Sequence, residues 1–164
     1  MRATDRMALA VAVAMSLVSF TLLELTHDRG VLIFAIPLIF LLEGISSLSR
    51  RFGIKGWLIH LWQVLVLIGV GLGLGLGANP AGGNWLSQLW RLYLEGLLHI
   101  QTQAAPMSPS PGVRWLLLLL VGLVTIIADV LVLTLGTPAW MLAPLLTLYL
   151  IPALALQHDV SWAS

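Results

Sequence analysis

The sequence predicts an all-α integral membrane protein, a polytopic bundle of about five transmembrane helices with one amphipathic helix at the extracytoplasmic surface. Hydrophobic residues make up 59% of its 164 residues, more than a soluble domain of this size buries in one core. Charged residues are rare, with eight Lys and Arg and seven Asp and Glu. Residues 115–135 hold a single charge, Asp129, and at about 1.5 Å per residue they match a hydrocarbon core of about 30 Å.

The predicted spans are separated by short polar or Gly- and Pro-rich segments. The first span follows Arg2 and Arg6. We interpret it as a retained span and not as a signal peptide, because it is long and no small-residue cleavage site closes it. The last predicted span contains Pro144 and Pro152, and the sequence leaves open whether it crosses fully or returns. The predicted spans are residues 7–25, 31–48, 57–78, 113–135 and 140–156.

The composition argues against several classes of function. Without cysteine the chain forms no disulfide, thiolate metal site or thiol nucleophile, and no cofactor is expected. A net charge of +1 gives no electrostatic basis for binding nucleic acid, so the cations are interpreted as topology signals. We expect a multi-pass protein of the bacterial plasma membrane with a cytoplasmic N-terminus. That orientation places Arg2, Arg6, Arg50, Arg51 and Lys55 inside and Arg29, Arg91 and Arg114 outside.

Residues 85–103 predict an amphipathic helix rather than a span. Polar residues recur every three or four positions and therefore share one helix face, while aromatic residues suit the headgroup level of a membrane. One interpretation is a lid or a docking surface for an outer domain, and the other is a helix that lies on the bilayer for burial alone. The polar face contains Gln88, Arg91, Glu95, His99 and Thr102, and the aromatic residues include Trp85 and Trp90.

Three ionisable residues lie within or at the edge of predicted spans, namely Glu43, His60 and Asp129. A charge at membrane depth costs about 2.5–3.5 kcal/mol on insertion scales, so each group needs a partner or a neutral state. We expect a structural pair, such as Asp129 with Arg50 or Arg51, because the outer halves of the spans are almost wholly apolar. The alternative is a proton or ion path through the same residues.

Glycines alternate with Val and Leu in the second half of the third predicted span. Gly69, Gly73 and Gly77 are four residues apart and share one helix face, whereas Gly71 and Gly75 share a neighbouring face. Small residues at this spacing let helix backbones approach closely. We interpret Gly69, Gly73 and Gly77 as a helix-packing face, either within the chain or toward a partner, and the pattern does not indicate which helix packs there.

A resemblance to a known family is carried by the order of three segments. Residues 94–106 read LEGLLHIQTQAAP, residues 111–114 read PGVR, and an apolar run then ends at residues 128–135 with ADVLVLTL. This order resembles the N-terminal membrane domain of actinobacterial transglutaminase-like proteins of the TgpA type. The resemblance covers most of the chain in layout, and residues 91–155 in detail.

The resemblance implies a larger cell-envelope protein with an extracytoplasmic Cys-His-Asp site of the papain type. Because the chain has no cysteine, no catalytic residue is carried over, and Arg114 and Asp129 match the family only as structural positions. We expect either a fragment of such a protein or a short natural relative that kept the membrane part.

The expected function is therefore a non-catalytic membrane-anchoring and scaffolding domain of a transglutaminase-like protein. Its expected partners are membrane lipid and either a protein partner or an attached extracytoplasmic domain. Two alternatives remain open. The first is an accessory subunit of a larger membrane complex, and the second is a small proton- or ion-coupled transporter.

Overall fold

The computed structural model describes residues 3–22, 29–78, 84–102 and 110–157. Within these residues the secondary structure is helical throughout, with no β-strand. The all-α prediction is thereby confirmed. The helices are α1 (Ala3–Ser19), α2 (Arg29–Arg51), α3 (Gly56–Ala78), α4 (Trp85–Thr102), α5 (Pro111–Asp129), a π-helical turn (Val130–Thr134), a 3₁₀ turn (Pro138–Met141) and α6 (Leu142–Gln157).

Three segments are long and apolar enough to cross a membrane, namely Gly30–Arg51, Gly56–Gly77 and Pro111–Thr134. They coincide with the second, third and fourth predicted spans, and they agree with a membrane location. The first and last predicted spans are not among them. In the described part of the chain, α1 has 17 residues and Pro138–Leu150 is a shorter apolar helix, so the structure does not establish a count of five.

The helices α2 and α5 run parallel to each other and antiparallel to α1 and α3, so that one end of the bundle gathers four helix termini. The start of α1 and the end of α2 meet there through an ion pair between Asp5 and Arg51. The end of α2 and the end of α5 meet through an ion pair between Arg50 and Asp129. We call this end the polar end, and the opposite end, where α5 begins, the distal end.

The core of the bundle lies between α1, α2 and α5. Met15, Ile39 and Val121 are fully buried there, one from each helix. A second apolar cluster joins α2, α3 and α5 through Leu38, Leu42, Leu67 and Ile126. In α2 the buried positions follow a spacing of three or four residues, which is the repeat of one helix face. They are Val31, Leu32, Ala35, Leu38, Ile39, Leu42, Glu43 and Ser46.

Two glycines with positive φ end the helices at the polar end. Gly53 has φ of 71°, and its N–H donates to Arg50 while that of Ile54 donates to Ser49, both at 3.1 Å. This is the Schellman arrangement, in which a glycine without a Cβ adopts the left-handed conformation. Gly136, with φ of 65°, follows the π-helical turn, and the next N–H, of Thr137, donates to the Leu131 carbonyl at 3.0 Å. These two turns reverse the chain, and the first brings α3 back along α2.

The predicted amphipathic helix has a packing partner, which the sequence did not reveal. Gln88, Leu92 and Gly96 form a buried stripe on α4, and the stripe faces the start of α5. The backbones of Gly96 and Gly112 approach so closely that a Cβ built on Gly112 lies 2.5 Å from the Gly96 nitrogen. Thus α4 is held against the distal half of α5, whatever contact it also makes with lipid.

Candidate functional site

A buried carboxylate organises the polar end of the bundle. Asp129 is fully buried, and the Ser46 hydroxyl lies 2.9 Å from each of its carboxyl oxygens. Gln63 donates from Nε2 to Oδ2 at 3.1 Å, and Nη2 of Arg50 lies 3.5 Å from the same oxygen. Because two helices, α2 and α3, supply these contacts, Asp129 ties both of them to α5. We call Asp129, Ser46, Gln63, Arg50, His60 and Thr134 the clasp.

Helical spacing explains how α2 and α3 present these side chains together. Glu43, Ser46 and Arg50 are separated by three and four residues, so they share one face of α2. His60 and Gln63 are three residues apart near the start of α3 and likewise share a face. The glycine turn between α2 and α3 aligns the two faces at the same level, opposite the end of α5.

The π-helical turn after Asp129 supplies the remaining acceptors. It is a five-residue segment that ends with a bond from the Leu135 N–H to the Val130 carbonyl at 2.9 Å. The carbonyl of Leu133 accepts from Nη1 of Arg50 at 3.3 Å, and the Thr134 hydroxyl lies 3.2 Å from Nη2. Carbonyls in the last turn of a helix lack partners within that helix, so Arg50 caps the end of α5 as well as pairing with Asp129.

The hydrogen bonds of His60 are satisfied by a neutral imidazole. Its Nδ1 lies 2.9 Å from Gln63 Oε1 and 3.5 Å from Asp129 Oδ2. Both oxygens are acceptors, so the arrangement assigns the ring proton to Nδ1. The Thr134 hydroxyl, 2.7 Å from Nε2, then donates to the ring while it accepts from Arg50. His60 acts here as a connector between Gln63 and Thr134.

Arg51 takes a different partner from its neighbour. It pairs with Asp5 of α1 at 2.9 Å, although half of its side chain is exposed, and Asp5 also accepts from the Ser47 hydroxyl at 2.8 Å. Adjacent residues on a helix point about 100° apart, since the helix has 3.6 residues per turn. Of the two predicted partners for Asp129, Arg50 therefore pairs with it, whereas Arg51 pairs with Asp5 of α1.

Glu43 differs from every other acidic side chain at this end. Only 3% of it is exposed, yet among the described residues neither carboxyl oxygen has a hydrogen-bond partner. Asp129 and Arg50 are the charged groups close enough to act on it electrostatically. Glu43 thus shares the helix face of the clasp without belonging to its hydrogen-bond network.

The glycines of α3 pack on the neighbouring face rather than on the predicted one. Among the described residues, no atom lies within 4 Å of a Cβ built on Gly69, Gly73 or Gly77. A Cβ on Gly71 would lie 2.8 Å from Leu119, and one on Gly75 would lie 2.6 Å from Leu89. The indole N–H of Trp115 also donates to the Gly71 carbonyl at 2.7 Å. The described part of the chain therefore uses Gly71 and Gly75 for packing, and the face of Gly69, Gly73 and Gly77 stays open toward lipid or a partner.

The predicted residues of the amphipathic helix lie apart from the clasp, because α4 contacts the distal half of α5. Trp85 and Trp90 are more than half exposed. Arg91 donates from Nε to the Ser87 carbonyl at 3.3 Å, and Nδ1 of His99 lies 3.0 Å from the Glu95 carbonyl. Arg114, at the start of α5, lines a groove with Gly73 and Gly77. The structure thus brings together Glu43, Arg50, His60 and Asp129, and it separates them from Trp85, Trp90, Arg91, Glu95, His99 and Arg114.

Four polar residues that sequence reasoning passed over complete the polar end. Ser46 and Gln63 carried a usable signal, because each lies three residues from a flagged ionisable group on the same helix. Thr134 and Asp5 carried none, since one follows the apolar run of α5 and the other precedes the first predicted span. Within the described ranges, no group of three or more His, Asp or Glu side chains is arranged to hold a metal ion.

Comparisons with known proteins found no matching family model, no matching curated protein and no matching solved structure. The resemblance to transglutaminase-like membrane domains therefore stays a prediction from the sequence, and the functional argument depends on the geometry of the bundle.

Proposed function

We propose that this chain is a non-catalytic membrane scaffold, a helical bundle that anchors a protein partner or an attached extracytoplasmic domain. The observation that supports the proposal is the pairing of Asp129. Its carboxylate receives Ser46, Gln63 and Arg50 from two other helices. A carboxylate that is fully buried and hydrogen-bonded in this way fixes helix register and is closed to a substrate.

The distal half of the bundle offers the surface for such a partner. There α4 presents exposed aromatic side chains, including Trp85, Trp90 and the Tyr93 ring stacked on Trp90 at 5.6 Å. Aromatic residues are enriched both at membrane interfaces and at the centres of protein contacts. The close Gly96–Gly112 contact holds α4 on the bundle, so a partner that docks on it is coupled to the spans.

The finer form of this proposal names a transglutaminase-like envelope protein of a bacterial plasma membrane, with the N-terminus of this chain in the cytoplasm. The family part depends on the resemblance of residues 91–155 alone. The orientation depends on the excess of cations at the polar end, where Arg50, Arg51 and Lys55 cluster. In this orientation the polar end faces the cytoplasm and α4 faces outward.

The test combines intact mass with site-specific crosslinking in the native membrane. A photo-reactive residue replaces Trp90 on α4, and a matched control replaces Leu146 on α6, which is similarly exposed. We expect a polypeptide heavier than 17.8 kDa that carries these peptides, or a partner captured from position 90 and not from position 146. Equal capture from both positions, or from neither, contradicts the scaffold proposal for α4.

An accessory subunit is a second candidate, favoured by the open glycine face on α3. A native mass near 17.8 kDa with crosslinks from Gly73 to a larger assembly supports this candidate over the anchor of a larger polypeptide. Proton-coupled transport is a third candidate, favoured by the buried carboxyl group of Glu43, which has no hydrogen-bond partner among the described residues. It requires that Asp129→Asn abolish transport while the protein still folds; a variant that only lowers expression argues against transport.

A further inference from the structure

We propose that Glu43 is a proton-binding site within the bundle, whose carboxyl group is neutral at neutral pH and exchanges its proton only with the polar end. This goes beyond the scaffold function and does not depend on it, since it concerns a group that the clasp does not use.

Glu43 contrasts with the other two acidic side chains at the polar end. Asp129 and Asp5 are also buried, but each accepts hydrogen bonds and faces an arginine. Glu43 is as buried as they are and receives no hydrogen bond from a described residue. An ionised carboxylate without partners is strongly disfavoured in an apolar interior, and such a group neutralises by taking up a proton.

The positively charged side chains at the polar end already contact other groups. The guanidinium of Arg50 contacts Asp129, the Leu133 carbonyl and the Thr134 hydroxyl. Arg51 is held by Asp5 of α1, and the hydrogen bonds of His60 on α3 suit a neutral ring. The nearest acidic neighbour, Asp129 of α5, repels a second negative charge. Burial and Asp129 therefore favour the neutral form of Glu43, whereas Arg50, a nearby charge that favours the ionised form, makes its own contacts with other groups.

The surroundings of Glu43 suit a proton rather than a metal cation. A cation needs several free oxygen ligands around it. The oxygens of Asp129 and Ser46 are occupied by Arg50 and Gln63, and a guanidinium beside the site repels a second cation. A proton needs only the carboxyl oxygen to which it binds.

The direction of exchange follows from the polarity along the spans. The side chains of Arg50 and His60 are partly exposed at the polar end, which gives water access to the level of the clasp. Toward the distal end, every residue from 31 to 42 in α2 and from 64 to 78 in α3 is apolar. The hydroxyls of Ser16, Ser19 and Thr21 on α1 and of Thr125 on α5 each donate to a carbonyl of the same helical segment. The described residues therefore offer no proton relay to the distal end, and Glu43 is a one-sided site rather than part of a through path.

Infrared spectroscopy of the protein reconstituted in vesicles tests the proposal. A protonated carboxyl group has a C=O stretch distinct from that of a carboxylate. We expect this band in the wild type at neutral pH, a shift of the band on exchange into D₂O, and its loss in Glu43→Gln. The control Glu95→Gln removes the same chemical group from the partly exposed face of α4 and should leave the band unchanged. If Glu43→Gln fails to fold, Glu43→Asp replaces it and should move the band without removing it.

The one-sided exchange is tested in the same vesicles by changing the pH on one side. The cysteine-free sequence allows a single Lys55→Cys label to report which side the polar end faces. We expect the band to respond only to the pH on that side. A neutral-pH spectrum in which the band is absent, or is unchanged by both Glu43 variants, overturns the proton site. A band that responds to the pH on either side overturns the one-sided access. Neither result bears on the crosslinking test of the scaffold.

Discussion

The close crossing of α4 and α5 gives a sharp prediction for the variant Gly112→Ala. A Cβ at this position lies 2.5 Å from the Gly96 nitrogen and from the Leu92 carbonyl oxygen, and 2.9 Å from the Gly96 Cα. All three neighbours are backbone atoms, so no side-chain rotation relieves the overlap. Ordinary contact requires about 3.5 Å or more between such atoms, and the two helices must therefore separate by about 1 Å.

The cost follows from this separation. Overpacking of a close contact destabilises proteins by about 1–3 kcal/mol, whereas replacing a helical glycine with alanine returns about 0.5–1 kcal/mol of backbone entropy. We therefore expect Gly112→Ala to lower the free energy of unfolding by about 1–2 kcal/mol. The matched control is Gly69→Ala in α3, where no described atom lies within 4 Å of the new Cβ; it should be neutral or slightly stabilising.

The assay is reversible unfolding of the purified protein in mixed micelles, followed by circular dichroism as the fraction of denaturing detergent rises. Gly96→Ala should also destabilise the protein, because its Cβ meets the Gly112 carbonyl carbon at 2.8 Å. The double variant should lose less free energy of unfolding than the sum of the two single variants, because one separation of the helices accommodates both methyl groups. Additive costs, or a Gly112→Ala protein as stable as the Gly69→Ala control, would refute the close packing of α4 on α5.

The remaining predictions use the same unfolding assay. Asp129→Asn should lower the free energy of unfolding by about 2–4 kcal/mol, because it leaves a buried donor set and an arginine without their anion. Asp5→Asn should lower it by less, since its partner Arg51 is half exposed. Equal losses for the two variants would contradict the central role of Asp129. Trp115→Phe should cost about 1 kcal/mol through loss of its indole hydrogen bond, and an unchanged stability would show that the bond contributes nothing. Gly53→Ala should cost about 1–2 kcal/mol, because its φ of 71° is strained for any residue with a Cβ; a neutral result would argue against the Schellman turn.

The helices themselves were largely predictable from the sequence, because apolar length and Gly–Pro boundaries are local signals. The predicted spans 31–48, 57–78 and 113–135 coincide with helices that are long enough to cross a membrane. The number of spans was not, since α1 has 17 residues and α6 has 16, and helices of this length cross a membrane only in some settings. Their role depends on what they pack against rather than on hydropathy alone.

Packing partners were not predictable, and the glycines of α3 show why. A spacing of four residues makes both glycine faces of α3 suitable for close contact, and the longer face, Gly69, Gly73 and Gly77, was the one predicted to pack. Within the described chain α5 and α4 meet the Gly71–Gly75 face, because the rotation of α3 is set by its contacts with α2 and α5. Those contacts are made by residues far apart in sequence, for which a single chain carries no local signal.

By itself, the sequence predicted an all-helical chain with helices long and apolar enough to cross a membrane, and it singled out ionisable groups that need a partner or a neutral state. It also predicted that Asp129 pairs with Arg50 or Arg51. Only the tertiary structure decided that Arg50 faces Asp129, that Arg51 faces α1, and that Glu43 has no described hydrogen-bond partner. The physical reason is that the helical repeat fixes which residues share a face, whereas the rotation and neighbours of each helix are set by the packing of the whole bundle.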